Sequence, residues 1–214
     1  MESHRALYWA HTSLIYINDL IDQCETHENL FVYADDAKIY KHITSPVDIQ
    51  DLQHSINNIK KWCDEWLLQL NADKCKVISY GRSNSIKHNY SIENNNTSYF
   101  LQSADNIKDL GVIFDCKLKF DDHIHEKVNK AYSIIGILKR NFINLSQESF
   151  ILLYKSLVRP HLEYAQSVWS PFYKGLIEEL EKVQMRATKL VKGLKELDYK
   201  HRLKLLKLPT LKYR

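Results

Sequence analysis

The spacing of apolar residues changes along this chain, from a mixture of strand-like and helical patterns to helical patterns alone. Residues 1–119 contain short β-prone runs around helical stripes, whereas residues 120–214 contain only successive helical stripes. Apolar residues alternate in a half-buried strand and recur every three or four positions in a helix. A chain of 214 residues, 44% of them hydrophobic, is long enough to bury a core. The pattern predicts an α+β fold, with a mixed segment over residues 1–119 followed by a helical segment over residues 120–214.

A tight hairpin is predicted early in the mixed segment. Residues 30–33 and 37–40 are β-prone runs, and the short polar stretch Ala34-Asp35-Asp36 lies between them. A run this short can only reverse the chain, because it leaves no room for a longer connection. The acidic pair is therefore expected at the tip of the hairpin.

The rest of the mixed segment is predicted to hold two helices and several strands. Ser45 and Pro46 form a helix-start signal, because the serine oxygen can cap free amides and proline is tolerated in the first turn. One face of this helix, with a stop at Asn71, is marked by Leu52, Ile56, Ile59, Cys63, Trp66 and Leu70. A short helix is predicted over residues 12–24, and strands over residues 75–80, 89–93, 98–101 and 108–114.

The helical segment is predicted to begin at the dipeptide Asp121-Asp122, interpreted as a cap because carboxylates are favourable at the positive end of the helix dipole. The stripe behind it consists of Ile124, Val128, Ala131, Ile135, Leu138 and Phe142. Ser146 is predicted to cap the next helix, which Pro160 should kink or end. Further helices are predicted from about Leu176 to Gly193 and over residues 199–208.

The net charge of +4 combines two parts of opposite sign. Residues 1–119 hold 12 Lys/Arg and 16 Asp/Glu, a balance of −4, while residues 120–214 hold 18 and 10, a balance of +8. A basic half beside an acidic half suggests a surface that binds a polyanion, next to a site where carboxylates bind metal. Two solvated surfaces of opposite sign would give the same pattern.

Two adjacent carboxylates at the tip of a hairpin are costly unless cations neutralise them. Mg²⁺ prefers hard oxygen ligands and is usually held by one or two carboxylates together with substrate phosphates. The dipeptide alone is weak evidence, because Asp121-Asp122 has the same sequence and precedes a helical stripe. Asp35-Asp36 lies between two β-prone runs, so the metal interpretation is favoured there.

An ordered series of motifs resembles the reverse transcriptases of non-LTR, LINE-like retrotransposons. Residues 30–36, which include Tyr33-Ala34-Asp35-Asp36, resemble their catalytic motif, with the alanine typical of this branch. Residues 13–20 resemble the helix before that motif, and residues 66–76 resemble the next palm motif. Residues 109–112 resemble the primer grip. Residues 153–164 and 180–188 resemble the thumb and the region that follows it. The resemblance implies a partial reverse-transcriptase palm, built of antiparallel strands with helices, followed by an α-helical thumb-like region.

The resemblance also implies catalytic roles. Asp35 would bind magnesium in a two-ion site, and Asp36 would assist the metal site or hold the turn. Tyr33 and Ala34 would lie beside the primer end and the incoming dNTP. Lys74 would stabilise charge on the departing pyrophosphate or donate a proton to it, although its spacing fits an ordinary exposed lysine nearly as well.

Contacts to nucleic acid are expected at two further places. By resemblance, Leu110 and Gly111 would shape a turn against the primer backbone. Lys182, Arg186 and Lys189 recur at helical spacing beside an apolar stripe, which suggests contact with phosphates. A merely solvated helix face fits that spacing equally well.

Other polar and aromatic residues favour structural roles. His123 and His125 are two apart on a helix and point in different directions, so they are not expected to share a metal. Trp62, Trp66 and Trp169 could stack on bases, but tryptophan in a helical stripe is more often core or interface. The four cysteines are widely spaced, which favours buried thiols over a disulfide framework or a zinc site.

The activity expected from the resemblance is that of an RNA-directed DNA polymerase acting on an RNA template, a DNA primer and dNTPs. The family supplies a third catalytic carboxylate and the fingers upstream of the matching residues, so the chain alone is expected to be an inactive fragment. A non-enzymatic nucleic-acid-binding remnant and a decayed reading frame are the alternatives. No signal-peptide pattern or membrane-length apolar run is found, so we expect an intracellular protein, nuclear or cytoplasmic.

Overall fold

The computed structural model describes residues 19–20, 29–34, 36–81, 88–94 and 97–213. The chain divides into two compact units, one of residues 1–79 with 83–104 and one of residues 80–82 with 105–214. Antiparallel strand pairs and helices occur together, which confirms the predicted α+β class. The separation of a palm and a thumb at residue 119 stays a prediction. No helix among the described residues has the length and apolar character needed to cross a membrane.

The first unit combines one long helix with short strand pairs in its described part. Antiparallel pairs are formed by β1 (Asn29–Tyr33) with β2 (Asp36–Tyr40) and by β4 (Ser91–Asn94) with β5 (Thr97–Phe100). A parallel pair is formed by β3 (Lys76–Val77) with β6 (Gln102–Ser103). Helix α1 (Pro46–Glu65) lies between β2 and β3 in the sequence. Of the helix predicted over residues 12–24, only residues 19–20 lie within the described residues.

Helix α1 begins where the sequence predicts. Pro46 is its first residue, and the carboxylate of Asp48 accepts the backbone amides of Thr44 at 2.9 Å and Ser45 at 2.7 Å. These hydrogen bonds hold the pKa of Asp48 far below its usual range. The amides before the first turn are thereby satisfied, as in a capping box.

The end of α1 was predicted wrongly. The helix ends at Glu65, and Leu67 takes a left-handed conformation with φ of 55°. Asn71 instead accepts the Lys74 amide in the turn that follows. The apolar stripe misleads at this point because Trp66 and Leu70 continue its spacing beyond the last helical residue.

The core of the first unit lies between α1 and one face of β1. Trp62 and Cys63 of α1 are buried together with Leu20, and Leu30 and Val32 of β1 pack against them. Side chains alternate across a strand, so the intervening residues of β1 point away from this core. The helix thereby fixes which face of the hairpin is exposed.

Gln53 connects α1 to β4. Its side-chain amide donates to the Ser91 carbonyl at 2.8 Å, and its side-chain carbonyl accepts the Ser91 amide at 3.0 Å. Gln53 therefore satisfies both backbone groups of a strand residue, as a neighbouring strand would.

Substitution Gln53→Ala is expected to lower the free energy of unfolding by about 1–3 kcal/mol, because both backbone groups of Ser91 lose their partner. Urea denaturation followed by circular dichroism measures the change. Asn57→Ala is the matched control, since it removes only the exposed 2.9 Å hydrogen bond between Gln53 and Asn57. Equal destabilisation by the two variants would contradict the role given to Gln53.

The second unit places a strand pair before a set of helices. Strand β7 (Asn106–Asp109) pairs antiparallel with β8 (Val112–Asp115). The helices are α2 (Asp121–Asn141), α3 (Gln147–Leu153), α4 (Arg159–Glu163), α5 (Gln166–Trp169), α6 (Lys174–Thr188) and α7 (Tyr199–Leu206). A π-helical turn (Tyr154–Val158) joins α3 to α4, and a short 3₁₀ turn (Leu211–Tyr213) follows α7.

Two predictions for the start of this unit were wrong. Residues 108–114 form a hairpin rather than one strand, because the chain reverses at residues 110–111. Phe120, with φ of 61°, occupies the N-cap of α2, and Asp121-Asp122 follow it within the first turn. The carboxylate that accepts the Phe120 amide, at 2.7 Å, belongs to Asp115.

The later helices follow the sequence pattern with local departures. The Ser146 hydroxyl accepts a backbone amide of α3 at 3.1 Å, which confirms the predicted cap. Pro160 does not end the helix, because the π-helical turn precedes it and Pro160 then occupies the first turn of α4. Helix α6 ends at Thr188, before the Gly193 predicted as its stop.

Helix α6 is fixed in the core by buried polar contacts. The Gln184 side chain accepts the Tyr154 hydroxyl at 2.6 Å and donates to the Pro209 carbonyl at 2.9 Å. Arg202 of α7 donates to the Thr188 hydroxyl at 3.0 Å and to the Leu197 carbonyl at 2.6 Å. A buried cation at the carbonyl end of a helix is favourable, so α6 is held at both its centre and its C-terminus.

Candidate catalytic hairpin and nucleic-acid contacts

The predicted hairpin is present, but its loop has two residues rather than the three predicted, because Asp36 is the first residue of β2. Leu30 pairs with Ile39 and Tyr33 with Asp36, so only residues 34 and 35 connect the strands. Ala34 has φ of 53°, in the left-handed region that a two-residue hairpin loop requires. A non-glycine residue there is strained by about 1–2 kcal/mol, and alanine keeps the side chain small. Asp35 lies outside the described residues.

The side chains at the tip of the hairpin are exposed. Tyr33 is 62% exposed, and Asp36 is exposed at the start of β2. Phe31 lies on the same outward face of β1 and stacks on Tyr40 with ring centroids 5.6 Å apart. Because the opposite face is packed on α1, this face of the hairpin is the one that presents functional groups.

The donor chemistry of the tip fits a hard cation. The Asp36 carboxylate supplies the oxygen ligands that Mg²⁺ prefers, and the neighbouring residue in the sequence is a second aspartate. Within the described ranges, no group of three or more His, Cys, Asp or Glu side chains is placed to hold a metal ion. The described carboxylate fits one side of a metal site and needs further ligands.

Lys74 lies in the turn after α1. Its amide donates to the Asn71 carbonyl at 3.1 Å and to the Asn71 side-chain oxygen at 3.3 Å, which fixes the backbone of the turn. Its side chain is exposed. This position fits a catalytic lysine and an ordinary exposed lysine equally well.

The turn at Leu110 and Gly111 belongs to the second unit and is backed by the helices. Both residues are left-handed, with φ of 42° and 81°. The Tyr164 hydroxyl donates to the Leu110 carbonyl at 2.8 Å, and a Cβ on Gly111 would meet the Tyr164 ring at 3.3 Å. Trp169, fully buried, donates from its indole to the Tyr164 carbonyl at 2.7 Å. The turn therefore has a rigid support.

Tyr164 is a residue whose role the sequence does not reveal. It ends the thumb-like motif at residues 153–164, but its spacing gives no sign of contact with residues 110–111 far earlier in the chain.

His123 is a second residue whose role the sequence does not reveal. It is fully buried and accepts the Ile113 amide at 3.1 Å through Nδ1. Burial, together with the nearby Lys127, lowers the pKa of His123 to about 4. His123 is therefore a neutral core acceptor that ties β8 to α2.

The remaining predictions of this kind concern His125 and three tryptophans, and their outcomes differ. His125 lies away from His123 and approaches Glu179 at 3.2 Å. Trp62 and Trp169 are buried, as predicted, whereas Trp66 at the end of α1 is 43% exposed.

The cysteines of the described residues agree with the expectation of free thiols. Cys63 is buried, and Cys75 and Cys116 are half-buried, with no disulfide among these three. Burial raises the pKa of both Cys63 and Cys75. Cys24 lies outside the described residues.

The basic stripe on α6 is defined by Lys182, Arg186 and Lys189, all exposed. The Arg186 guanidinium lies over the Tyr132 ring of α2, 5.2 Å from its centroid. A cation–π contact of this kind orders the side chain without consuming its hydrogen-bond donors. The stripe thus presents at least one pre-oriented group able to contact phosphate.

Comparison with known proteins shows similarity to one family. Residues 11–114, just under half of the chain, match the model of the reverse transcriptase (RNA-dependent DNA polymerase) family. Within the family its similarity is to non-LTR retrotransposon enzymes, as the motifs predict. The chain is 26% identical over 167 residues to the RNA-directed DNA polymerase from mobile element jockey of Drosophila funebris.

The other relatives agree. The jockey polymerase of Drosophila melanogaster is 24% identical over 169 residues. Both jockey alignments cover 75% of this chain and 18% of the polymerase, so the chain spans less than a fifth of those proteins. An uncharacterised protein of Caenorhabditis elegans is 36% identical over 75 residues, which is 35% of this chain and 38% of that protein. No solved structure matches the chain.

Proposed function

We propose that this chain supplies the catalytic hairpin and a nucleic-acid-binding helical region of an RNA-directed DNA polymerase, which extends a primer on an RNA template with dNTPs. The observation that carries the proposal is the two-residue loop between Tyr33 and Asp36, on a hairpin whose outward face is exposed. The family match over residues 11–114 supports the reaction class.

In this proposal, the carboxylates of Asp35 and Asp36 hold Mg²⁺ at the tip of the hairpin. Bound magnesium would supply activation of the attacking hydroxyl and neutralisation of the leaving pyrophosphate. Tyr33, exposed beside the tip, packs against the primer end or the incoming nucleotide, and the small Ala34 leaves room for them. Lys74 provides a cation for the departing pyrophosphate.

The turn at Leu110 and Gly111 serves as the primer grip in this proposal. Its carbonyl at Leu110 is anchored by Tyr164, so the turn keeps its shape when the primer backbone presses on it. Glycine is favoured at position 111 because φ is 81° and an added Cβ would lie 3.3 Å from the Tyr164 ring, so a side chain there would be strained.

We further propose that the metal site needs a third carboxylate besides Asp35 and Asp36, supplied from outside this chain, and that the chain alone is inactive. One or two carboxylates hold a single magnesium ion only weakly without substrate phosphates, and a two-ion site needs more ligands. Loss of a group that acts only in the transition state lowers the rate by orders of magnitude.

Primer extension tests the proposal directly. A labelled DNA primer on an RNA template is incubated with Mg²⁺ and dNTPs, using the chain alone and the chain fused behind the preceding region of the Drosophila funebris jockey polymerase. We expect extension only by the fusion and loss of that signal in its Asp35→Ala variant. Asp122→Ala is the matched control, because it changes the other Asp-Asp dipeptide at the start of α2.

Two outcomes would contradict the proposal in different ways. Equal extension by the fusion and its Asp35→Ala variant would remove the catalytic role of the hairpin. Extension by the unfused chain, sensitive to Asp35→Ala, would instead show that its metal site is complete.

A second candidate function is binding of nucleic acid without catalysis. The exposed basic stripe on α6 supports it, since phosphate contact needs no metal site. This function and catalysis share the stripe but differ in their dependence on Asp35, so the fusion experiment separates them.

A further inference from the structure

The second unit contains a cleft of about 560 Å³ that the proposed function does not use. One wall is the loop of residues 116–120 between β8 and α2, and the other is formed by Ser170, Phe172 and Tyr173 before α6, with Gly81 at its edge. The cleft is distant in sequence from the β1–β2 hairpin, and its Tyr173 is the N-cap of α6, whereas the basic stripe begins at Lys182 in the second half of that helix.

Two aromatic rings lie bare on one wall of the cleft. Phe172 is 91% exposed and Tyr173 is 52% exposed, and their rings meet edge to face with centroids 5.8 Å apart. Full exposure of a phenylalanine leaves its apolar faces in water, where they are unfavourable. Flat aromatic faces open to solvent suit partners that are themselves flat.

The opposite wall and the flank of the cleft are positively charged. Lys117 and Lys119 of the loop are exposed, and Lys174 directly follows the aromatic pair. The carboxylate of Asp115, at the base of the loop, accepts the amides of Lys117 at 2.9 Å and Phe120 at 2.7 Å, and these bonds lower its pKa. That carboxylate is therefore engaged by backbone amides, and the exposed lysines leave this side of the cleft positively charged.

The loop is held in a fixed, strained shape. Leu118 and Phe120 are left-handed, with φ of 52° and 61°, a conformation that bulky residues rarely adopt. The Gly81 amide donates to the Cys116 carbonyl at 3.2 Å, and the Phe120 ring packs edge to face on Phe114 at 5.5 Å. A preformed loop loses little conformational entropy when a ligand binds, and strain of this kind concentrates at binding sites.

We infer that this cleft binds single-stranded nucleic acid, with bases stacked on Phe172 and Tyr173 and the phosphates beside Lys117 and Lys119. The inference rests on the nucleic-acid partner in the proposed function and adds a second, separate contact. Bare aromatic rings with interleaved lysines are the composition that binds single strands without sequence preference. A duplex would not use the rings, because its base faces are already stacked on one another.

Fluorescence anisotropy of the full 214-residue chain tests the inference. The probes are labelled oligo-dT and oligo-U of about 20 nucleotides, a length that exceeds a typical single-strand site. The double variant F172A/Y173A is expected to bind both single strands about ten-fold or more weakly and an RNA–DNA duplex within about two-fold of wild type. Phe172→Leu should lose affinity for single strands, while Phe172→Trp should retain it.

The controls keep the result interpretable. Phe142→Ala removes a 45% exposed aromatic residue elsewhere in the second unit and is expected to leave binding unchanged. Thermal unfolding checks that each variant folds. Phe172 is highly exposed, so its substitution is expected to leave the fold intact. K117E/K119E should weaken single-strand binding and reduce its salt dependence.

Three results would overturn the inference. If the wild-type chain binds duplex but F172A/Y173A binds single strands as wild type does, the cleft is not the site while the proposed function stands. If Phe172→Leu binds as wild type does, the surface is a general apolar contact, as for a protein partner. If the wild-type chain binds no nucleic acid, both the inference and the nucleic-acid-binding part of the proposed function fail.

Discussion

Reversing the charge of the α6 stripe is expected to weaken duplex binding about 10³-fold at roughly 50 mM monovalent salt and only about 25-fold at roughly 200 mM. The variant carries K182E, R186E and K189E. Each phosphate contact releases about 0.9 counterions from a duplex, so three lost contacts reduce the slope of log affinity against log salt by about 2.7. The effect must therefore shrink as salt rises, which a loss through misfolding would not do.

Arg186 is expected to contribute a full phosphate contact to duplex binding. Its guanidinium is already placed over Tyr132, so little side-chain entropy is lost when it meets a phosphate. Tyr132→Leu should consequently lower duplex affinity while leaving the salt slope near that of wild type, because the charge remains.

A matched control tests whether net charge alone explains the loss. Reversal of the exposed lysines Lys155, Lys200 and Lys204 changes the charge of the same unit by the same amount. If that variant loses affinity and salt slope as the stripe variant does, the stripe is a solvated face with no special contact. A salt titration by fluorescence anisotropy gives both quantities for each protein.

The hairpin of β1 and β2 was predictable because its local sequence determines it. The alternation in β1 places Leu30 and Val32 toward the core and leaves Phe31 and Tyr33 outside, and the short polar run permits only a tight turn. The register was not predicted, because Asp36 joins β2 opposite Tyr33 and the loop is one residue shorter than the polar run.

The hairpin of β7 and β8 was only partly predictable from its sequence. Residues 108–114 are β-prone except at Leu110-Gly111, where the leucine adopts a φ of 42°. That conformation is stabilised by a tertiary contact with Tyr164, so no local propensity predicts it. The motif resemblance placed a turn at these residues when the residue pattern did not.

The cap of α2 was misassigned for a local reason. Asp-Asp before an apolar stripe is a sound helix signal, and both carboxylates lie in the first turn, yet the carboxylate that accepts the N-cap amide is Asp115 at the end of β8. The ring of Phe120, which is left-handed at the N-cap, packs on Phe114. These contacts join residues five and six positions apart and follow neither a helical nor a strand period, so the pattern of apolar residues does not show them.

The stability of the second unit is expected to fall by about 3 kcal/mol as the pH is lowered from about 6.5 to about 4, because of His123 alone. The folded protein keeps this side chain neutral, with a pKa of about 4 against the ordinary histidine value of 6.5. Between these values the unfolded chain binds a proton that the folded chain does not. Stability is therefore fully present above pH 6.5, declines as the pH falls and levels off below pH 4.

The buried contacts explain why His123 resists protonation. Nδ1 accepts the Ile113 amide, so a proton there would break the hydrogen bond that joins β8 to α2. Because Nδ1 accepts, the neutral ring carries its proton on Nε2, which is buried and has no hydrogen-bond partner within the described part of the chain, so a positive charge on the ring would be unsolvated. The cation of Lys127 adds to the cost, against a smaller opposite effect from Glu126.

Urea denaturation of wild type and His123→Asn across this pH range measures the effect. The asparagine oxygen can still accept the Ile113 amide but does not titrate, so the variant should show about 3 kcal/mol less change than wild type between pH 6.5 and 4. His125→Asn, on the exposed side of the same helix, should follow the wild-type curve. Carboxylates with lowered pKa values, such as Asp115, remain in all three proteins and cancel in the comparison. Parallel curves for wild type and His123→Asn would show that His123 gains its proton as readily in the folded protein as in the unfolded chain.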